Sequence, residues 1–289
     1  MNRPILAALV AVLIWGASPA ATALAAQTIP ASLIGPLRTV LAAAVMLPVL
    51  PWFWNSFPRE LRARSEIVLG GVAGFALYPI FLSIGVAQTS VSHASLILAA
   101  APIFTGLMSF VVTRCWPQGA WWFGAAVSLC GVALLVSSTG FGMSGFRGNM
   151  RGDALVLLSV LFASLGYVCG GRVAARIGKW PATFWMLTVG ALVLLPFWLL
   201  PAATYSWDKV SWQSTVGLLF LVLAVTILAY ALWFWSLGTS SASRITPLQF
   251  GQPLVGVALA SIMFGEPVTG FVLASGCLII CGVFISGRT

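Results

Sequence analysis

The chain has 289 residues, 60% of them hydrophobic and 7% charged, with a mean hydropathy of +1.05. A soluble globular domain carries roughly 25% charged residues, so there is too little charge here to cover a water-facing surface, and the protein must face lipid. The formal charge of +9 does not indicate nucleic acid. The basic residues stand singly or in small groups between apolar runs and form no patch that could track phosphates; their expected partner is the anionic face of a lipid bilayer.

In lipid every backbone polar group needs an internal partner, which leaves helices or a closed barrel. A barrel would show short alternating segments. The apolar runs here are about 20 residues long, the length of helix that spans a hydrocarbon core, so the expected class is all-α. In chain order the runs are 4–26, 31–54, 67–86, 93–113, 117–138, 153–173, 180–201, 211–236, 245–264 and 267–286, ten transmembrane helices in all. The first begins like a secretory leader, with Arg3 and the cleavage-like Ala23-Leu24-Ala25. It is longer than a leader's apolar core and holds Trp15-Gly16 and Pro19, so it is read as a span. Only the second run carries a basic residue well inside it, Arg38. With a cytoplasmic N-terminus, ten basic residues fall on the cytoplasmic side and three (Arg147, Arg151, Lys209) on the other. The positive-inside rule then places both termini in the cytoplasm.

Shifted by 151 residues, the chain aligns with itself. Pro30 meets Pro181, Ser90 and Ser92 meet Ser241 and Ser243, and Pro102 meets Pro253; Cys130-Gly131-Val132 meets Cys281-Gly282-Val283. Each half holds five spans, an odd number, so the second half enters the membrane in the opposite sense. This is the inverted-repeat plan of secondary transporters, which puts the substrate near the midplane between the halves. The expected division is a first repeat over 1–140, a Gly- and Ser-rich linker over 141–151, and a second repeat over 152–289.

Several elements carry a family resemblance: Ile14-Trp15-Gly16, Leu37-Arg38, the repeated Thr89-Ser90-Val91-Ser92 to Pro102 and Ser240-Ser241-Ala242-Ser243 to Pro253, and Phe264-Gly265-Glu266-Pro267 followed by Gly276 and Gly282-Val283. In this order they resemble EamA-type carriers of the drug/metabolite transporter superfamily. Within it the tryptophan-rich chain is most similar to bacterial YddG-type exporters of aromatic amino acids. The first repeat departs from the pattern, with Arg114-Cys115-Trp116 where the second has Gly265-Glu266-Pro267. The resemblance implies a multi-pass carrier of the bacterial inner membrane that moves small neutral metabolites, aromatic or other neutral amino acids above all. A drug or nucleotide-sugar carrier is the alternative. No cofactor is implied, and a monomer is the working expectation.

Enzyme-like patterns fail on context. Gly140 to Gly145 reads as GxGxxG but lies in the linker, away from any strand–turn–helix. Gly142-Met143-Ser144-Gly145 reads as the GxSG of an intramembrane protease, yet the single histidine, His93, begins a different span. That lone histidine, with five cysteines and no CxxC pair, also argues against zinc. The glycine pairs Gly70/Gly74 and Gly166/Gly170 are read as close helix packing.

The expected substrate cavity draws on Trp15 and Ser18 in the first span, Tyr78 in the third, Pro102 in the fourth, Ser164 and Tyr167 in the sixth and Tyr230 in the eighth. Gln249, Gln252 and Pro253 join them from the ninth. Proline frees backbone carbonyls and amides are expensive at this depth, so either feature marks a water-lined cavity or interhelical hydrogen bonding. Arg38 serves the fold or binds a substrate carboxylate. The five acids, Glu60, Glu66, Asp153, Asp208 and Glu266, all fall at run ends or in loops. A facilitative mechanism, or weak coupling through His93, is therefore expected rather than strong proton antiport.

Overall fold

The computed structural model describes residues 3–113, 119–140, 149–239, 248–249 and 251–286, and among them there is no strand. The elements are α1 (Arg3–Gly16), α2 (Ser18–Ala25), α3 (Ala31–Met46), α4 (Leu61–Gly71), α5 (Tyr78–Val86), α6 (Val91–Leu98), α7 (Ala101–Thr113), α8 (Gly119–Gly140), α9 (Met150–Ile177), α10 (Lys179–Thr204), α11 (Trp212–Leu219), α12 (Ala229–Thr239), α13 (Gly251–Phe264) and α14 (Gly270–Ser286). The linker pattern at 141–145, the Arg114-Cys115-Trp116 element and Ser240 to Ser243 lie outside the described residues.

Six continuous helical stretches are long and apolar enough to cross a membrane: Arg3–Ala25, Ala31–Ser56, Leu61–Val86, Met150–Ile177, Lys179–Thr204 and Trp212–Trp233. At 1.5 Å per residue the shortest, of 22 residues, reaches roughly 33 Å. The α6–α7 pair, bent by 42°, makes a seventh candidate, and Gly119–Leu135, Gly251–Phe264 and Gly270–Gly282 are shorter apolar helices. The ten apolar runs therefore correspond to six full-length spans, one broken span and three short helices, not to ten uniform ones. The third span also starts earlier than its apolar run, because Leu61–Ser65 is helical although charged.

The breaks have local causes. Val72–Leu77 is a π-helical turn leading into Tyr78-Pro79. Pro79 has no N–H to give the carbonyl of Phe75, and the Thr39 hydroxyl donates to that carbonyl instead, at 2.6 Å. A second π-helical stretch, Phe220–Leu228, leads into α12. The 151-residue shift places the first π turn inside the second. The α6–α7 break precedes Pro102, which has no N–H for the carbonyl of Leu98.

Packing follows the repeat. The α3 stretch lies on α10, α8 on α14, α1 on α12 and α13, and α9 on α5 and α7. Where α8 meets α14 the contact is reciprocal: a Cβ on Gly131 would sit 2.9 Å from the Ile279 amide nitrogen, and one on Gly282 2.3 Å from that of Ser128. The same 151-residue shift relates Ser128 to Ile279 and Gly131 to Gly282. Gly74 and Gly166 also meet directly, with a Cβ on Gly166 2.7 Å from the Gly74 Cα, so these glycines act as the small-residue contacts that let two helices touch.

Each end of the bundle carries a polar clasp. At one end the Glu66 carboxylate faces Arg172 Nε at 2.8 Å, Arg176 Nη1 at 3.3 Å and Arg62 Nε at 3.6 Å. The opposite end, at the start of α9, holds Asp153 and, on the loop before α14, Glu266. The Gly282→Ala variant is expected to lose about 1–3 kcal/mol of stability by overpacking against backbone. Gly171, whose Cβ would meet nothing within 4 Å, should tolerate alanine with no loss. Thermal unfolding in detergent checks the pair; equal melting temperatures would refute the tight α8–α14 contact.

Candidate functional site

A small cavity lies where the breaks converge. Trp15 and Ser18 reach it from the α1–α2 break, Tyr78 from the π turn before α5, and Leu98, Ala99 and Ala101 from the α6–α7 break; Ala163 and Tyr167 of α9 close it with Gln249 and Gln252. Both halves of the chain contribute. The free space is about 30 Å³, room for about two waters at ~15 Å³ each. No metabolite fits that space, so the described conformation is closed around its centre.

The wall is aromatic. The Trp15 ring stands 5.2 Å from Tyr230, 5.3 Å from Trp233 and 6.1 Å from Tyr167, centroid to centroid. Phe75 extends the cluster at 5.1 Å from Tyr230. The Trp15 indole N–H donates to the Val225 carbonyl of the second π stretch at 3.3 Å, which fixes the ring over the cavity.

Polar groups are few and individually placed. The Ser18 hydroxyl is buried and has no hydrogen-bond partner among the described residues. Gln249 and Gln252 are half-buried. Arg38 is only 3% exposed. Its Nε donates to Thr226 Oγ1 at 2.6 Å, the Thr226 hydroxyl in turn donates to the Leu221 carbonyl at 2.7 Å, and the guanidinium carbon lies 5.6 Å from the Tyr78 ring centroid. No carboxylate pairs with Arg38 among the described residues. The cavity lining thus comprises rings, two of them phenolic, two amides, the Ser18 hydroxyl and, behind Tyr78, a buried cation.

Six of the residues expected from sequence therefore line the cavity: Trp15, Ser18, Tyr78, Tyr167, Gln249 and Gln252. Tyr230 stands behind Trp15. Ser164 is fully buried, and its hydroxyl donates to the Ala101 carbonyl at 3.3 Å, so it serves the α6–α7 break and not the cavity. Pro253 is buried as the third residue of α13 and is not a lining residue. The side chain of Pro102 lies outside the described residues.

The EamA-like transporter family model matches residues 2–137 and 150–288. The chain belongs to this family. It is a multi-pass membrane transporter, not an enzyme. Among curated relatives, an uncharacterised transporter of Bacillus subtilis (strain 168), YdeK, is 26% identical over 88% of this chain and 86% of its own length. A Salmonella typhimurium protein named "Probable amino-acid metabolite efflux pump" is 27% identical, covering 96% of this chain and 93% of its own length. A Streptantibioticus cattleyicolor protein named "Probable terminal-alkyne amino-acid exporter" is 25% identical over 80% of this chain and 76% of its own length. A solved crystal structure superposes with a TM-score of 0.60 at 18% identity, covering 98% of this chain and 95% of that one; it supports the fold alone.

Leu98, Ala99 and Ala101 line the cavity, with Trp233 and Phe75 packed behind its rings and Thr226 behind Arg38, and none of these was singled out as a site residue from sequence. Pro102 was the signal for the break, and a threonine in an apolar run the signal for Thr226. Trp233 had no local signal, since its contact with Trp15 joins the first span to the eighth. The Thr226→Val variant should strand the Arg38 N–H in a buried site and cost about 1–3 kcal/mol. A melting temperature equal to the parent's in detergent would show that Arg38 finds another acceptor.

Proposed function

We propose that this EamA-family chain is a secondary exporter of neutral amino acids with apolar or aromatic side chains. It works by alternating access across ten membrane crossings arranged as two inverted five-helix repeats, over residues 1–140 and 152–289. The observation that carries the substrate class is the cavity wall. Rings supply an apolar platform worth about 0.5–1.5 kcal/mol per aromatic contact beyond area burial. A buried guanidinium without a carboxylate is costly, and a ligand carboxylate offsets that cost. A cationic ligand meets the opposite situation: no carboxylate lines the cavity, and Arg38 repels it. The names of the efflux-pump and exporter relatives agree with an amino-acid substrate.

The mechanism rests on the closed cavity and on the reciprocal contacts. With so little free space at the centre, loading requires the halves to part at one end. The exchange of neighbours under one shift supports a twofold relation between them. The basic-residue bias supports a bacterial inner-membrane protein with both termini in the cytoplasm, which puts the Glu66 clasp inside and the Asp153 end outside.

The test of substrate class is counterflow of labelled phenylalanine in proteoliposomes with unlabelled competitors. Tryptophan, tyrosine and phenylalanine should compete better than lysine or a quaternary ammonium drug, and Gln249→Leu and Gln252→Leu should cut the flux roughly tenfold, the equivalent of losing about 1.4 kcal/mol each. Better competition by the cations would sink the amino-acid reading in favour of a drug carrier. The arrangement in the membrane is checked by reporter fusions: one after Thr289 should report the cytoplasm, and one at Lys209 the opposite side. A fusion after Thr289 that reports the periplasm would overturn the inverted topology.

A further inference from the structure

Glu266 stands apart from the substrate cavity, at the end of the bundle that the proposed topology puts outside. Gly265 ends α13 with φ +65°, a left-handed backbone that glycine adopts without a steric penalty. Its N–H donates to the Ser261 carbonyl at 3.1 Å, and that of Glu266 to the Ala260 carbonyl at 3.3 Å. This is a glycine-closed helix end, and Pro267 follows it without an N–H of its own. The chain is thereby turned back over α13, and the Glu266 side chain lies against the start of α6.

There one carboxylate oxygen accepts the Val91 N–H at 2.7 Å and the other accepts the Ser92 N–H at 2.9 Å. The first amides of a helix have no acceptor within it, and the helix dipole favours an anion at that position. The next amide, of His93, donates to the Ser90 hydroxyl at 3.1 Å. The start of α6 is therefore capped from two sources. One is its own neighbour in sequence; the other comes from the opposite half of the chain, 175 residues from Val91.

Below the carboxylate, Val91 of α6, Ala20 of α2 and Ala260 of α13 are buried together, with Phe264 packed on them. One turn further along α6, Ser95 is wedged against Gly256 of α13, where a Cβ would lie 2.4 Å from the Ser95 Cβ. The first turn also meets α9, with His93 Nδ1 3.1 Å from Asp153 Oδ2. At the far end of this eight-residue helix, Leu98 and the break residues after it line the cavity. One short helix thus joins the outer seam to the cavity. Parting the halves at this end takes α6 from α13 and leaves the Val91 and Ser92 amides without their acceptor. Under the 151-residue shift Glu266 answers to Cys115, so the repeat carries this carboxylate at one end only.

We propose that Glu266 is a latch for the outer end of the carrier: its carboxylate on the N-terminus of α6 holds the two halves together there and sets how often that end opens. The inference rests on the alternating-access reading above and names a residue that governs it. Glu266 touches no substrate; it acts through α6, as a positioning residue.

The test needs no substrate. Ser18 lines the cavity, so the variant Ser18→Cys reports from which face the cavity is reached. Its labelling by a membrane-impermeant maleimide is followed in spheroplasts and in inside-out vesicles, by mass spectrometry of the peptide that holds residue 18. Adding Glu266→Ala should speed labelling from the outer face roughly fivefold, the worth of one helix cap, and should not speed it from the inner face. Glu266→Gln, which keeps the size and one acceptor oxygen, should act in the same sense by less. A merely structural role loosens the whole bundle and speeds both faces together. Faster labelling from both faces, from the inner face alone or from neither would overturn the latch. A parent labelled at equal rates from both faces would overturn alternating access as well. A one-sided response in protein that shows no phenylalanine counterflow would uphold the latch and refute only the amino-acid reading.

Discussion

In hydrocarbon an unpaired backbone carbonyl costs several kcal/mol, and this fold is interrupted where that cost is highest. At three of these interruptions a polar side chain donates to a backbone carbonyl. Thr39 donates to the carbonyl that Pro79 leaves unserved, Thr226 and Trp15 donate to carbonyls of the second π stretch, and Ser164 donates to Ala101 after the α6–α7 break. Several of these donors also position the site: Trp15 is held over the cavity by its carbonyl, and Thr226 holds Arg38. The need to satisfy broken helices and the construction of the cavity wall are met by the same few residues.

Close backbone contacts and helix breaks occur side by side in this bundle. Glycines bring backbones into direct contact at Gly74–Gly166 and at Gly131 and Gly282, which leaves little room for helices to deform within each interface. The helical ladder is interrupted around the cavity, at the α1–α2 break, the π turn before α5 and the α6–α7 break. The two polar clasps stand beyond the breaks, one built on Glu66 with three arginines and one on Asp153 with His93. They differ in chemistry. One gathers guanidinium groups around a single carboxylate, the other sets an imidazole against a carboxylate.

Much of this was legible from residue order. Apolar run length determined an all-helical membrane protein, because lipid leaves the backbone few alternatives. The 151-residue shift revealed two related halves, and the motif order pointed to the EamA family that the family match then showed. Trp15, Ser18, Tyr78, Tyr167, Gln249 and Gln252 were recognisable because aromatic, hydroxyl and amide groups at mid-span depth are costly unless used.

What only the tertiary structure decided concerns distance between residues remote in the chain. Asp153 reads as a loop-side acid until α6 is seen against it with His93. Ser164 reads as a cavity group until its hydroxyl is found on the Ala101 carbonyl. Trp233 is ordinary until the first span places Trp15 5.3 Å away. Composition and periodicity record how much a residue gains by leaving water. They do not record which partner it meets, because that depends on the rotation of each helix about its own axis, and the rotation is set by the neighbouring helices together.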